Sequence, residues 1–358
     1  MKGYEFPVFK TKGRGESNQK FLLDDLAQRK QYFTLKAGTE IEKLKEYLSK
    51  NTFVAFLMGK KNSGKGTYAK AFAEIIGSDR VAHISVGDIV RSVHHAMEQP
   101  ESKEELLTYL QKNYRGALSL EQSLDALLGR SASKLLPTEL ILALLRREID
   151  KAEHKALFID GFPRDLDQIS YSMYFRDLMG YRDDPDFFVF IDVPESVVDE
   201  RIRYRVVCPE CHTPRNLKLL RTKEVGYDAT TKEFYLMCDN PACHGTRMVP
   251  KEGDNLGIEV IRDRIELDNT VTRSLIDFNG VSKIFLRNSV PVSVADQEVD
   301  DYEITPAYVY SVDPATNAVS VSEQKWSVSD ENGVLCYSLL PPPVVVSLIC
   351  QMSKQLGL

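Results

Sequence analysis

The sequence predicts an α/β fold, an open parallel sheet covered by helices on both faces. Three observations carry that expectation. Short apolar runs recur along the chain, helical patterns lie between them, and a glycine-rich stretch follows the first run directly. Short continuous apolar runs are what strands buried on both faces require.

The elements follow in order. Residues 1–20 carry Gly, Lys, Ser and Asn without periodicity and read as a loose arm, the start of an N-terminal extension over 1–51. Within it, Ile41, Leu44, Tyr47 and Leu48 recur at helical spacing, and Thr39 is a plausible N-cap for a helix over 39–50. "TFVAFLM" (52–58) reads as the first strand, with a helix beginning near Gly64. Further strands are expected at 80–86, 156–162, 186–193 and 282–288, and helices at 138–152 and 194–206. The core therefore spans 52–206 and returns over 259–290. A mostly helical excursion fills 92–134, and 207–258 holds clustered cysteines and turn signals. From 291 to 340 the text changes to short alternating runs broken by "PATN" and "ENG", which predicts a small β-meander. "PPPVVVSLICQMSKQLGL" closes the chain over 341–358 as a proline-initiated helix.

Composition narrows the function classes. With 358 residues, 43% hydrophobic and 27% charged, the chain has ordinary globular usage and room for two or three domains. A formal charge of -6 argues against a broad basic face for nucleic acid. No apolar run approaches the roughly 20 residues of a membrane span. The first residues show no apolar core of a secretory signal, so a cytoplasmic setting is expected, and a monomer.

The chemistry-bearing residues gather where the strands are expected to end. "GKKNSGK" (59–65) has the G-x-x-x-x-G-K spacing of a loop that wraps phosphates in backbone N–H groups, the mark of a P-loop NTPase-type sheet. Gly66 stands where most such loops have Ser or Thr, with Thr67 one position later. Alone, this match could be a strand-to-helix turn with incidental glycines. "HISVGDIVR" (83–91) and "FIDGFPRDLDQ" (158–168) defeat that reading, because they bring Asp88, Arg91, Asp160, Arg164 and Gln168 to one sheet edge. An acidic residue ending an apolar strand, as Asp160 does, suits Mg²⁺ held directly or through water.

The ordered set G-x-x-x-x-G-K-G-T, I-S-x-G-D-x-x-R and D-G-F-P-R-x-x-x-Q resembles adenylate kinase and its nucleoside-monophosphate kinase relatives. "ERIRYRVVCPEC" and "VIRDRI" match the two arginine segments of that family, and the Gly66-Thr67 order is its habit. The resemblance covers roughly residues 52–286 and the closing helix. It implies reversible phosphoryl transfer from ATP, carried with Mg²⁺, to a nucleoside monophosphate, with AMP as the expected acceptor and UMP, CMP or GMP as alternatives.

What the resemblance implies for single residues is as follows. Gly59, Asn62, Ser63, Gly64, Lys65, Gly66 and Thr67 would cradle the donor phosphates, with Lys65 reaching the β and γ oxygens. Arg91 and Arg164 would fork the acceptor phosphate, and Arg201, Arg205 and Arg264 would close over the transferring group. Val86, Asp88, Lys134, Leu135, Leu136, Gly161 and Gln168 would line the acceptor site, which draws on an insertion over 87–136 and on the segment 158–168. The chain departs from the family at three places: Gly59-Lys60-Lys61-Asn62 replaces Gly-x-Pro-Gly, Val86 stands for a Thr, and Lys251 for a lid arginine. Asn is the non-glycine residue best suited to positive φ, so the loop turn is expected to survive.

Cys208, Cys211, Cys238 and Cys243 form two close pairs, C-P-E-C and C-D-N-P-A-C. Four thiolates suit a closed tetrahedral Zn²⁺ site, with His212 or His244 as possible replacements for one of them. In the family such a lid is structural. From a different class, the zinc ribbon and the meander would suit a nucleotide-gated binding protein; mixed charges over 207–258 speak against it.

Overall fold

The computed structural model describes residues 3, 4, 6–15, 19–129, 137–164, 168, 184–251 and 253–358. Five parallel strands form the central sheet: β1 (Val54–Met58), β2 (Val81–Ser85), β3 (Ala156–Asp160), β4 (Asp186–Asp192) and, after the lid, Ser282–Arg287. Their spatial order is Ser282–Arg287, β4, β1, β3, β2. β1 lies between β3 and β4, with Leu57 opposite Asp160 and Met58 opposite Phe190. This is a P-loop NTPase fold, and its central strand carries the glycine loop.

Both faces of the sheet are buried, by alternate residues of the same strands. Ala55 and Leu57 join one core with Tyr32, Phe33, Tyr68 and Phe72. Val54, Phe56 and Met58 join a second core with Phe188, Phe190, Leu144 and Leu275. That two-sided burial is why the strands read as continuous apolar runs. On the first side lie α1 (Leu26–Tyr47), α2 (Lys65–Ile76) and the closing helix Pro341–Gln355. On the second lie α3 (Val86–Glu98), α4 (Pro100–Asn113), α5 (Leu120–Leu128) and α6 (Thr138–Lys151).

After β4 come α7 (Glu195–Arg203) and the lid. The lid carries β5 (Arg205–Val207), β6 (Pro214–Asn216), the hairpin β7 (Val225–Asp228) with β8 (Glu233–Leu236), and β9 (Val249–Pro250). It has its own small core of Val206, Leu236, Met248 and three of the cysteines. The chain returns through α8 (Arg262–Ile276) and β10, the strand Ser282–Arg287.

Four expectations need correction. The helix predicted over 39–50 starts earlier, at Leu26, with Asp25 accepting the Gln28 N–H as N-cap. It breaks at Ala37 (φ -149°), and the predicted helix corresponds to the part beyond that break. The N-terminal arm is not loose over residues 6–15. Phe6 and Thr11 are buried, and the Thr11 N–H donates to the Glu298 carbonyl at 2.9 Å. The predicted helix over 194–206 stops at Arg203, so Arg205 lies on a strand. Finally, the C-terminal insertion is two small sheets rather than one meander. β11 (Ser289–Pro291), β14 (Ser327–Ser329) and β15 (Leu335–Ser338) form one, while β12 (Pro306–Val312) and β13 (Val319–Lys325) form a separate hairpin. The hairpin leaves its neighbours because the lid holds it: the Tyr308 N–H donates to the Lys218 carbonyl at 2.8 Å and Tyr310 packs on Phe234.

Candidate active site

The loop between β1 and α2 is shaped by its backbone. Gly59 has φ 153°, and a Cβ there would come within 2.8 Å of the Ile191 carbonyl oxygen on β4. Asn62 takes φ 65°, the left-handed turn expected of it. Gly66 is explained by a neighbour that the motif does not show. A Cβ there would meet the ring of His83, on β2, at 3.2 Å, so a larger residue would force the imidazole away. Burial pushes the His83 imidazole below its ordinary pKa, keeping a neutral ring beside Asp160.

Lys65 is the first residue of α2 and folds back over the loop. Its Nζ donates to the Gly59 carbonyl at 2.8 Å and the Lys60 carbonyl at 3.0 Å, and lies 3.8 Å from Asp160. Ser63 is buried, and its Oγ has no hydrogen-bond partner among the described residues. A buried hydroxyl left alone is costly, and phosphate oxygens would satisfy it. Thr67 is exposed, and Gly64 sets the start of α2 in a left-handed conformation.

Cations converge on this loop. Arg201, on α7, donates to the Asn62 carbonyl at 3.1 Å and to Asn288 at 3.0 Å, so it braces the loop tip. Lys61 feels Lys251, Arg205 and Arg264; burial and those three charges push its ammonium down. Lys251 follows β9 on the lid, so the residue at the missing lid arginine does face the loop tip. Arg205 is forked onto Asp254 at 2.6 and 2.7 Å, and Arg264 pairs with Asp268 at 2.9 Å.

The acceptor-side residues are less uniform. Arg164 is largely buried, its Nε without a partner among the described residues, and burial and then the neighbouring Arg264 push its guanidinium down. Gly161 (φ 83°) lies directly beneath that guanidinium. Gln168 accepts the Arg164 N–H at 2.8 Å and donates to Thr138 at 3.2 Å. Asp88 and Arg91 sit together in α3, exposed and paired with each other. Val86 is buried in the second core, so its side chain packs inward at the start of α3. Lys134, Leu135 and Leu136 lie outside the described residues.

In the lid the four thiols of Cys208, Cys211, Cys238 and Cys243 lie within 4.8 Å of one another, and all are free. Cys211 and Cys238 are 3.6 Å apart, close to the roughly 3.8 Å between sulfurs that tetrahedral Zn–S bonds of about 2.3 Å imply. Thr213 holds the Cys211 thiol down at about 5, whereas burial pushes Cys243 up to about 12. One thiolate forms readily and the last does not, and a divalent cation resolves that conflict. Such a cluster can hold a metal ion. His212 and His244 are not in it.

The Asp254 fork on Arg205 gave no sequence signal, nor did the burial of Lys60, whose side chain leaves the loop on the far side. Among the described residues, no helix is long and apolar enough to cross a membrane.

The model of the AAA domain family matches residues 59–206. The adenylate kinase of Thermotoga neapolitana is 28% identical over 236 residues, 66% of this chain and 88% of the relative. That of a Hydrogenobaculum species is 26% identical over 225 residues, 63% of this chain and 87% of its own. The adenylate kinase of Chlamydia felis is 28% identical over 231 residues, with 64% and 85% covered. The resemblance carried by the motifs is thereby borne out.

Proposed function

We propose that this chain transfers the γ-phosphoryl group of ATP reversibly to a nucleoside monophosphate, with AMP as the preferred acceptor. The observation that carries the reading is the crowd of cations around the loop tip. Lys61, Lys65, Lys251, Arg164, Arg205 and Arg264 converge there; burial and then Lys251, Arg205 and Arg264 hold Lys61 below its ordinary pKa, and burial and then Arg264 do the same to Arg164. That arrangement costs folding free energy unless polyanions occupy the cleft. Two phosphate groups meeting head to head supply them.

In this reading the loop N–H groups and Ser63 hold the donor phosphates, and the N-terminus of α2 adds its dipole. Lys65 keeps two loop carbonyls as its resting partners, and it trades them for β and γ oxygens. Asp160 fits a role beside Mg²⁺: it ends β3 and faces Lys65 with a partly exposed carboxylate. The metal, when bound, neutralises phosphate charge. Arg91 and Arg164 fork the acceptor phosphate. Arg205 and Arg264 exchange their carboxylate partners for the phosphoryl group as the lid closes, and closure excludes water that would otherwise accept it. The acceptor is already an anionic oxygen, so positioning and charge carry the barrier reduction. The lid holds one structural zinc through its four cysteines. Six free thiols suit a reducing, cytoplasmic setting.

Coupled ADP-formation assays with ATP and each of AMP, CMP, UMP and GMP test the reading. AMP should give the highest kcat/KM. Transfer to a pyrimidine or guanine acceptor in preference would redirect the specificity, and no transfer to any would overturn the kinase assignment.

A further inference from the structure

Lys60 is the second residue of the glycine loop, yet its side chain does not face the cleft. It is 3% exposed and runs the other way, where its Nζ donates to the Val193 carbonyl at 2.9 Å. There it meets two carboxylates: Glu195 at 3.8 Å, and Glu331, to which it donates directly. Glu331 lies 271 positions away, in the turn between β14 and β15 of the C-terminal insertion.

That turn is built to present the carboxylate. The Asp330 side chain accepts the N–H groups of Asn332 and Val334, each at 2.9 Å, and pairs with Arg287 at 3.7 Å. Glu331 also accepts the Glu195 N–H at 3.0 Å, one of the open donors at the start of α7. Ser196 donates to the Ser329 carbonyl at 2.8 Å, fastening the turn to the same helix end. Burial pushes the Glu331 carboxyl up, and Lys60 is first among the groups that together hold it below the usual glutamate range.

The link reaches the cleft through the main chain of Lys60. Its carbonyl accepts both the Lys65 Nζ at 3.0 Å and the Ser63 N–H at 3.1 Å. Anchoring the Lys60 side chain from behind therefore fixes the carbonyl on which Lys65 rests. Misplacing such a group by about 1 Å can cost on the order of a hundredfold in rate.

We propose that Glu331 is a positioning residue for the donor-phosphate loop, acting through Lys60, so that the C-terminal insertion supports the transfer site. The inference rests on the donor-side reading above. Glu331 touches no substrate; it sets where Lys65 and the loop N–H groups stand.

The test compares Glu331→Gln, Glu331→Asp, Lys60→Met and the double variant Lys60→Met with Glu331→Gln. The full chain is used, with folding checked by circular dichroism. The ATP dissociation constant is measured by calorimetry, and KM for each substrate separately. Glu331→Gln should weaken ATP about tenfold and leave the KM of the acceptor within twofold, because among the described residues no hydrogen bond or ion pair joins the acceptor arm to this pair. Pairing it with Lys60→Met, which removes the uncompensated ammonium, should restore at least part of the loss. Should Glu331→Gln not fold, Glu331→Asp keeps the charge one methylene short and should show a smaller loss on ATP alone. A lowered melting temperature with ATP affinity within twofold of wild type would overturn the proposal, as would equal losses for both substrates. A wild-type chain that binds ATP but transfers nothing overturns the kinase reading, and the ATP comparison still decides the role of Glu331.

Discussion

Lys65 and Arg91, the cations proposed to meet phosphate in the two halves of the cleft, stand in opposite conditions. Lys65 is held by two loop carbonyls and faces Asp160, on a loop braced by Arg201 in front and Lys60 behind. Arg91 is 73% exposed on α3, and its partner Asp88 is three residues away on the same helix. The donor loop is held by its own main-chain carbonyls and by side chains that reach it from α7 and from the C-terminal insertion. In the proposed reading the acceptor half draws on Arg91 on α3 and Arg164 in the segment after β3, and its geometry is expected to be completed when the acceptor arrives. The difference locates the expected effects. Changes on the donor side should strike the rate for every acceptor, and changes on the acceptor side should strike one substrate.

The largest effect is expected at Lys65. Lys65→Ala should lower kcat at least about a hundredfold, since it removes a cation facing the developing charge. The coupled assay on a variant folded by circular dichroism measures it, and near-normal turnover would break the donor half of the comparison. Arg91→Ala should instead cost about thirtyfold in kcat/KM for the acceptor while ATP binding, read by calorimetry, stays within twofold. An equal loss in ATP affinity would show that the two halves are not separable.

A third effect comes from the lid, which Arg205 and Arg264 flank along the chain. Cys211→Ser should lose the metal, lower the melting temperature and reduce turnover about tenfold while ATP still binds weakly, because the lid core is too small to stand without a staple. Elemental analysis of wild type purified without chelator should give about one equivalent of zinc. Less than about a third of an equivalent would remove the zinc from the account.

The same contrast explains what could be read in the sequence. The glycine loop, the strand-end acids and the cysteine pairs are local patterns whose spacing is their geometry, and Asn62 adopts the turn that its residue type suggests. The anchoring of Lys60 by Glu331 joins residues 271 positions apart, and neither one's neighbours hint at the other. Thr11 reaches Glu303 in the same way, which is why the N-terminal arm reads as loose and is nevertheless packed. The two-sheet form of the insertion is equally invisible, because strand alternation states which residues face inward and not which strand is the partner. Gly66 was legible as a departure, while its cause, the His83 ring on β2, depends on strand order.

The smallest effect, at Gln168, discriminates most. The family resemblance implies a contact between this amide and the acceptor base, yet here its oxygen accepts the Arg164 N–H and its nitrogen donates to Thr138. Both uses are compatible with a side chain carrying an oxygen and an NH₂ group, since the oxygen has two lone pairs and the nitrogen two protons. They predict different outcomes. Support of Arg164 serves every monophosphate alike, because the phosphate is common to all. Reading the base serves AMP alone, since a polar edge left without its partner is penalised only where that partner is adenine. Gln168→Ala should therefore lower kcat/KM for CMP, UMP and GMP by about threefold and for AMP by about tenfold, narrowing the AMP margin about threefold. A uniform loss across the four acceptors would assign Gln168 to holding Arg164 only. Specificity would then lie in other residues of the acceptor arm, on the half of the cleft that is completed by its substrate.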